Sequence, residues 1–349
     1  MRRYLYNLAT DKDRRPGSCI IKLILLSLSV LYGLTVRALI WFYKGRSRRL
    51  NCRVISVGNI TLGGTGKTTL VGYIAGYLKS RGYKVAILSR GYKKSGTGQG
   101  AMGDEPCMLS RKLPDIPVLV DTDRVRSANS AIRDYAADTV ILDDGLQQWR
   151  IRKDLEIVTI DSRNPFGNRR LIPRGILRQP LSSLRCADIF VLTKTNLAAN
   201  TDSIKEELRG LNPRAAIIES GHIPAGFYNI SEPQALLDAA VLKGLTVTLF
   251  SGIGDPQSFE DLISSLGIKI GLSFRFPDHY SYAGPDLNKI AADSEDKGIN
   301  IIVTTEKDAA RIDGIGNLKP GIRILVLRIA LEIKDEEEFH GRLLRLYPL

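Results

Sequence analysis

The chain has 349 residues, 44% of them hydrophobic and 25% charged, a balance that excludes wholesale disorder and leaves room for one large domain or two ordinary ones. The formal charge of +13 is unevenly placed: residues 1–53 hold twelve Lys or Arg against two Asp, a net of +10, and the rest of the chain carries +3. No nucleic-acid surface is indicated, because this positive charge lies with an apolar stretch and lacks interleaved aromatics that could stack on bases.

The first element in chain order is a helix. Leu23 to Val36 runs fourteen residues without a charge. That is about 21 Å of helix against a hydrocarbon core of about 30 Å, so a crossing would require Lys22 and Arg37 to snorkel. At about 100° per residue, Lys22, Ser29, Gly33 and Arg37 fall within an arc of about 80°, which predicts an interfacial helix with its apolar face in a membrane. Basic flanks favour an anionic surface. No small-residue cleavage site separates the run from the next strand, which argues against a removed signal peptide. Burial of the helix against the rest of the protein is the alternative.

From Arg53 to Thr69 the chain reads RVISVGNITLGGTGKTT, an apolar strand running into a Gly-rich loop and a helix start. Thr61, Gly63, Gly64, Thr65, Gly66, Lys67, Thr68 and Thr69 form the expected phosphate cradle. Glycines 63, 64 and 66 let backbone N–H groups point at phosphate oxygens, Lys67 neutralises the β/γ oxygens, and Thr68 offers a hydroxyl where Mg²⁺ would sit. Thr61 stands where the G-x-x-x-x-G-K-[ST] pattern has its first Gly. Either the turn there needs no positive φ, or the loop is a variant.

Beyond this helix, apolar strands alternate with amphipathic helices. Val85–Leu88, Val118–Val120, Thr139–Leu142, Ile157–Ile160 and Ile189–Leu192 are predicted strands of a doubly wound, mainly parallel α/β sheet. Val140, Ile141 and Leu142 lead into Asp143 and Asp144, carboxylates at the carboxyl end of a buried strand, where such sheets bind ligands and where one can reach Mg²⁺. Gly103-Asp104-Glu105-Pro106 offers acids ahead of a helix, which as residue types could equally be N-terminal helix acids. Arg90, Arg124, Arg126, Arg174 and Arg178 are the basic candidates, indistinguishable on their own from surface arginines. Between Gly221 and Pro233 the pattern breaks into Gly, Pro and polar residues. Strands at Leu245–Phe250, Ile268–Phe274, Ile301–Thr304 and Ile324–Leu327 then suggest a second, smaller α/β domain. The expected division is a membrane-associated segment at 1–50, a P-loop domain at 51–230 and the smaller domain at 231–349. Cys19, Cys52, Cys107 and Cys186 are dispersed with no CxxC pair, so neither a zinc knot nor a disulfide framework is indicated, and the catalytic part is expected in the cytosol.

The ordered set GGTGKT at 63–68, SRGY at 89–92, GDEP at 103–106, DDGLQQ at 143–148 and NPFGNRRLIPRGILRQP at 164–180 resembles the tetraacyldisaccharide 4'-kinases of lipid A biosynthesis. The likeness continues through SGIGDPQSF at 251–259, PDHY at 277–280 and TTEKDAAR at 304–311, nearly the whole chain. It implies transfer of the ATP γ-phosphate to the 4'-hydroxyl of a tetraacyldisaccharide 1-phosphate, giving lipid IVA at the cytoplasmic face of the bacterial inner membrane. The implied partners are that lipid and the membrane surface, with no nucleic acid and no obligate protein partner.

The resemblance also implies roles. Asp104 would be the base for the sugar hydroxyl, His279 its dyad partner, and Lys67 the cation on the phosphates. Thr68, Glu105 and Asp143 or Asp144 would surround Mg²⁺, while Arg90, Tyr92, Asn168, Arg174 and Arg178 would face the substrate or the phosphates. Two positions depart from the family pattern: DDGFQH stands here as DDGLQQ, and LREP as LRQP. Gln148 cannot titrate as His does, and Gln179 lacks the charge of Glu. Lys67 and Asp104 are kept, so a working enzyme is expected. Thr193-Lys194-Thr195-Asn196 is similar to the base-recognition TKxD of some GTPases, with Asn196 in place of the Asp that accepts from guanine, so ATP is the expected nucleotide. The competing assignment is a membrane-anchored P-loop ATPase switch, which would hydrolyse ATP without an acceptor and would not need Asp104 and His279.

Overall fold

A computed structural model of the chain describes residues 18–90, 103–198, 200–278, 280–312 and 321–347. Two compact units are formed: one from residues 1–92, 113–222 and 331–349, the other from 93–112 and 223–330.

The first unit opens with helix α1 (Ser18–Tyr43), then β1 (Arg53–Asn59), α2 (Lys67–Ser80) and β2 (Val85–Ser89). Helix α3 (Asp104–Lys112) belongs to the second unit. The first unit resumes with β3 (Val118–Val120), α4 (Arg124–Tyr135), β4 (Thr139–Asp143), β5 (Leu155–Asp161), β6 (Ile189–Thr193), α5 (Asp202–Leu211) and the start of β7 (Ala216–Asn229). Its strands lie in the order β3-β2-β4-β1-β5-β6-β7 and every neighbouring pair is parallel. Parallel strands carry helices on both faces and so read as unbroken apolar runs, as the fully buried β2, β4 and β6 show. Val54, Ala86, Leu88, Val140 and Leu142 pack with Val125, Ala128 and Ala131 of α4. Helix α2 packs on β1, β2 and β4, burying Leu70, Val71, Ile74 and Leu78. Each such Leu or Ile contributes about 1.5–3 kcal/mol by leaving water.

Helix α1 is longer than the apolar run suggested, at 26 residues, or about 39 Å. Its orientation corrects the expected polar arc. Ser29 and Gly33 face protein: Ser29 Oγ donates to Leu171 O (2.8 Å) and accepts from Arg174 N (2.9 Å), and a Cβ on Gly33 would lie 2.7 Å from Leu171 Cδ1. Tyr32 OH donates to Arg178 O (2.8 Å), and Val36 is buried. Polar atoms of this face therefore satisfy backbone groups of the 164–180 segment instead of meeting water. The rest of the helix leaves Ile20, Leu23, Ile24, Leu31, Leu34 and Trp41 more than half exposed. Cys19–Tyr43 is long and apolar enough, with mean hydropathy 2.2, to cross a membrane.

The expected break at Gly221–Pro233 is instead largely strand. Up to Glu219, β7 pairs with β6, and beyond it Phe227 and Tyr228 pair antiparallel with β8 (Leu236–Leu237) in the second unit. Gly226 is required there because a Cβ would come 2.4 Å from Leu237 O, so this glycine marks a close backbone approach and not the end of a strand.

The second unit continues with β9 (Thr246–Ser251), α6 (Pro256–Ser265), β10 (Lys269–Arg275), α7 (Gly284–Glu295), β11 (Ile301–Thr305), α8 (Glu306–Ala309) and most of β12 (Arg323–Ile333). Its parallel core runs β10-β9-β11-β12. Alternate strand residues split between two cores. Val247, Leu249, Val303 and Leu325 join Phe259 and Ile263 of α6, while Phe250 and Ile302 join Leu287 and Ile290 of α7.

The last helix, α9 (Glu336–Leu344), belongs to the first unit, where it buries Phe339 and Leu343. Its His340 ring stacks on Tyr77 of α2 at 3.6 Å and hydrogen-bonds the Tyr73 hydroxyl (2.9 Å). Tyr347 stacks on Tyr83 at 3.9 Å.

Candidate active site

The phosphate cradle begins where β1 ends. Ile60, Thr61 and Leu62 pair with the 164–180 segment: Leu62 N donates to Ile176 O and Arg178 N to Ile60 O, both at 2.7 Å, and Thr61 bridges Leu177. Thr61 is thus held in an antiparallel bridge just beyond β1 and has no positive φ, which explains how Thr replaces the usual glycine. Gly66 is left-handed (φ 77°, ψ 11°) and precedes α2 with no side-chain cap. The first N–H groups of α2 therefore stay available, and with the helix dipole they suit a phosphate. Thr68 is buried in that first turn, and Thr69 follows it half-buried. The loop is braced from behind. Lys194 Nζ donates to Gly64 O (2.8 Å) and pairs with Asp161, while Thr65 and Thr159 hydroxyls share a hydrogen bond of 2.8 Å.

Four side chains converge at the cradle. Lys67 Nζ donates to Asn59 Oδ1 (3.0 Å) and lies 3.5 Å from Asp144 Oδ1. Arg178 grips Asp144 with two bonds of 2.8 Å and donates to Asn59 O (3.0 Å). Asn59 is fully buried, and its own amide donates to Thr61 O (2.8 Å). Burial alone would raise the Asp144 pKa, but Lys67 and Arg178 outweigh it and hold the carboxyl below its ordinary value. Asp144 sits at φ 58°, a left-handed geometry that Asp tolerates. The next residue must be Gly145, because a Cβ there would fall 2.3 Å from Ser56 Oγ on β1.

Asp143 is buried at the end of β4 beside Arg124, a residue only 2% exposed, whose guanidinium reaches toward Asp143 O at 3.5 Å. Burial lowers the Arg124 pKa to about 10, against the pull of Asp143, so it stays cationic at neutral pH.

The expected site residues are distributed as follows. Lys67, Thr68, Asp143 and Asp144 come together in the first unit. Arg178, expected to face the substrate or the phosphates, pairs with Asp144 and Asn59 beside the cradle. Asn168 shapes its own loop, donating to Arg174 O (3.1 Å) and accepting from Arg170 N (3.2 Å). Arg174 docks its backbone N–H on α1. Arg90 is exposed just after β2, and Glu105 is exposed on α3 of the second unit. Tyr92, His279 and the side chain of Asp104 lie outside the described residues. Among the described residues no three His, Cys, Asp or Glu side chains converge as a metal cage. The donors present, a hydroxyl and carboxylates, are hard oxygens that fit Mg²⁺ shared with nucleotide phosphates and not an all-protein site. Asn59 and the bracing by Lys194 escaped the sequence reading, while Arg124 was among its basic candidates without any sign of its place beside Asp143. For Asn59 the available signal was an amide at the end of an apolar strand, directly before the glycine loop.

A family profile described as tetraacyldisaccharide-1-P 4'-kinase matches residues 21–347. The tetraacyldisaccharide 4'-kinase of Elusimicrobium minutum (strain Pei191) is 36% identical over 321 residues, covering 87% of this chain and 84% of that protein. That of Syntrophus aciditrophicus (strain SB) is also 36% identical, covering 96% and 94%. A crystal structure of LpxK from Aquifex aeolicus in complex with ATP matches with a TM-score of 0.72 and 28% identity, covering 94% of this chain and all of that one.

Proposed function

The chain belongs to the tetraacyldisaccharide-1-P 4'-kinase family, and from that premise we propose how its residues carry the reaction. The enzyme is an ATP-dependent kinase acting on the 4'-hydroxyl of a tetraacyldisaccharide 1-phosphate. The observation that carries the reading at residue level is the cluster of Asn59, Lys67, Asp144 and Arg178 at the uncapped start of α2. Phosphoryl transfer needs little covalent help; it needs positioning and positive charge where negative charge gathers.

ATP phosphates settle on the N–H groups of Gly63 to Thr69, and Lys67 exchanges Asp144 for the β/γ oxygens. Arg178 is a second cation within reach of the same exchange. Asp104 takes the proton from the 4'-hydroxyl as its oxygen attacks the γ-phosphorus and the bond to the β-phosphate oxygen breaks; His279 orients or polarises that base. Arg90, Tyr92, Asn168 and Arg174 face the acceptor, and Asn168 also ties its own loop to Arg170 and Arg174. Thr68, Glu105 and Asp143 or Asp144 would be the oxygen donors for Mg²⁺, which when bound neutralises charge on the phosphate oxygens.

The acylated acceptor is a membrane molecule, and the exposed apolar side of α1 supports seating this enzyme on the cytoplasmic face of the bacterial inner membrane. The test is direct. Purified enzyme, γ-labelled ATP and a tetraacyldisaccharide 1-phosphate should give label in the lipid. Release of free phosphate with an unlabelled lipid would establish the ATPase switch instead.

A further inference from the structure

The reacting end of the nucleotide has a fixed direction. Asp143 and Asp144 stand at the end of β4, on one side of β1, so the γ-phosphoryl lies toward that strand. The base must therefore extend the other way, over the carboxyl ends of β5, β6 and β7, where parallel sheets hold ligands. At about 4.8 Å per strand, β6 is about 10 Å from β1.

Several observations mark the ends of β6 and β7 as one surface with the cradle. Lys194, at the end of β6, bonds Gly64 O. A Cβ on Gly66 would lie 3.1 Å from the His222 ring. Asn196 Nδ2 donates to His222 O (3.3 Å), which leaves its Oδ1 as the acceptor over Gly221; a Cβ there would be 3.3 Å from that oxygen. Oδ1 accepts no hydrogen bond among the described residues, and the side chain is exposed. Leu197, next on the same turn, is 56% exposed and presents an apolar side chain.

We propose that Asn196 selects adenine, its Oδ1 accepting from the exocyclic amine of the base while Leu197 flanks the ring, in a subsite between the ends of β6 and β7. This rests on the nucleotide-site assignment above. The pairing edge of adenine offers an amine beside a bare ring nitrogen, so a single neutral acceptor matches it. Guanine offers a carbonyl beside two donors, N1–H and N2–H, and is satisfied by two acceptor oxygens on one side chain, which a carboxylate has and an amide lacks. Glu332 is a further acceptor on this rim, its Oε2 3.6 Å from a Cβ on Gly221.

The experiment compares the full-length wild type with Asn196→Asp and Asn196→Ala. For each, equilibrium affinity for ATP and GTP is measured, and KM and kcat for both nucleotides are read from labelled lipid at saturating acceptor. In Asn196→Asp the KM for GTP should fall about tenfold and the KM for ATP rise severalfold, with each kcat little changed. In Asn196→Ala the KM for ATP should rise about tenfold with no gain for GTP. Unchanged constants, or equal shifts for both nucleotides, would overturn the assignment. If affinities change as expected but no protein labels the lipid, the base subsite stands and the kinase reading fails; label in the lipid with unaltered nucleotide preference gives the reverse.

Discussion

Replacing Arg178 by Met keeps most of the side-chain bulk and removes the charge that grips Asp144. The carboxylate then loses two bonds of 2.8 Å and retains Lys67 at 3.5 Å. Removing one partner of a buried ion pair costs about 3–5 kcal/mol. Here the two side chains keep 15% and 19% of their surface exposed and Lys67 remains, so the expected loss is about 2 kcal/mol. Urea unfolding at neutral pH measures it. The pH dependence identifies the cause: Lys67 and Arg178 together hold the Asp144 pKa down despite its burial, so the carboxyl contributes stability above its unfolded pKa and loses it as pH falls through the folded one. The gap between wild type and Arg178→Met should be full at neutral pH and shrink below about pH 4. A gap equally large at pH 3 and pH 7 would show that packing, not charge, accounts for the loss. A difference under about 0.5 kcal/mol would remove Arg178 from the cluster altogether.

Three further outcomes concern the catalytic base, the membrane helix α1 and His340 on α9. Asp104→Ala should bind ATP normally yet lose lipid phosphorylation about 10²-fold or more; His279→Ala should cost less, and the double variant little more than Asp104→Ala alone. Multiplicative losses in single-turnover transfer would break that dyad. Ile24→Glu with Leu31→Glu, both on the exposed side of α1, should abolish cosedimentation with anionic vesicles with little change in Tm, since both side chains are more than half exposed. Gly33→Leu should instead lower Tm by driving α1 off Leu171; vesicle binding unaffected by the first pair would place the membrane contact elsewhere. Burial lowers the His340 pKa, so its stack on Tyr77 favours the neutral ring: wild-type Tm should fall more steeply than that of His340→Phe as pH drops from about 7.5 to 5.5. Parallel pH profiles would exclude protonation of the stack as the cause.

What the sequence determined by itself is what local pattern encodes. The apolar runs at 85–88, 139–142 and 189–192 could only be buried strands, since nothing in them tolerates a wet face. The glycine loop ending in Gly66-Lys67-Thr68 places its donors within one helical turn, and Asp143 and Asp144 follow directly from the end of a strand. Contacts between distant segments were decided by tertiary structure alone. The helical wheel put Ser29 and Gly33 on one arc of α1, but that this arc meets protein depends on Leu171, 142 positions away from Ser29. An Arg in a loop carries no sign of its partner, and Arg178 found Asp144 only because the 164–180 segment pairs with the strand leading into the cradle. Gly226 looked like punctuation and is a close approach of backbones. The return of α9 to the first unit likewise rests on Phe339 and Leu343 finding a distant core. Periodicity fixes which face of an element is apolar; which surface covers that face is settled only when the whole chain packs, because burial is non-directional and the charges that meet are chosen by geometry.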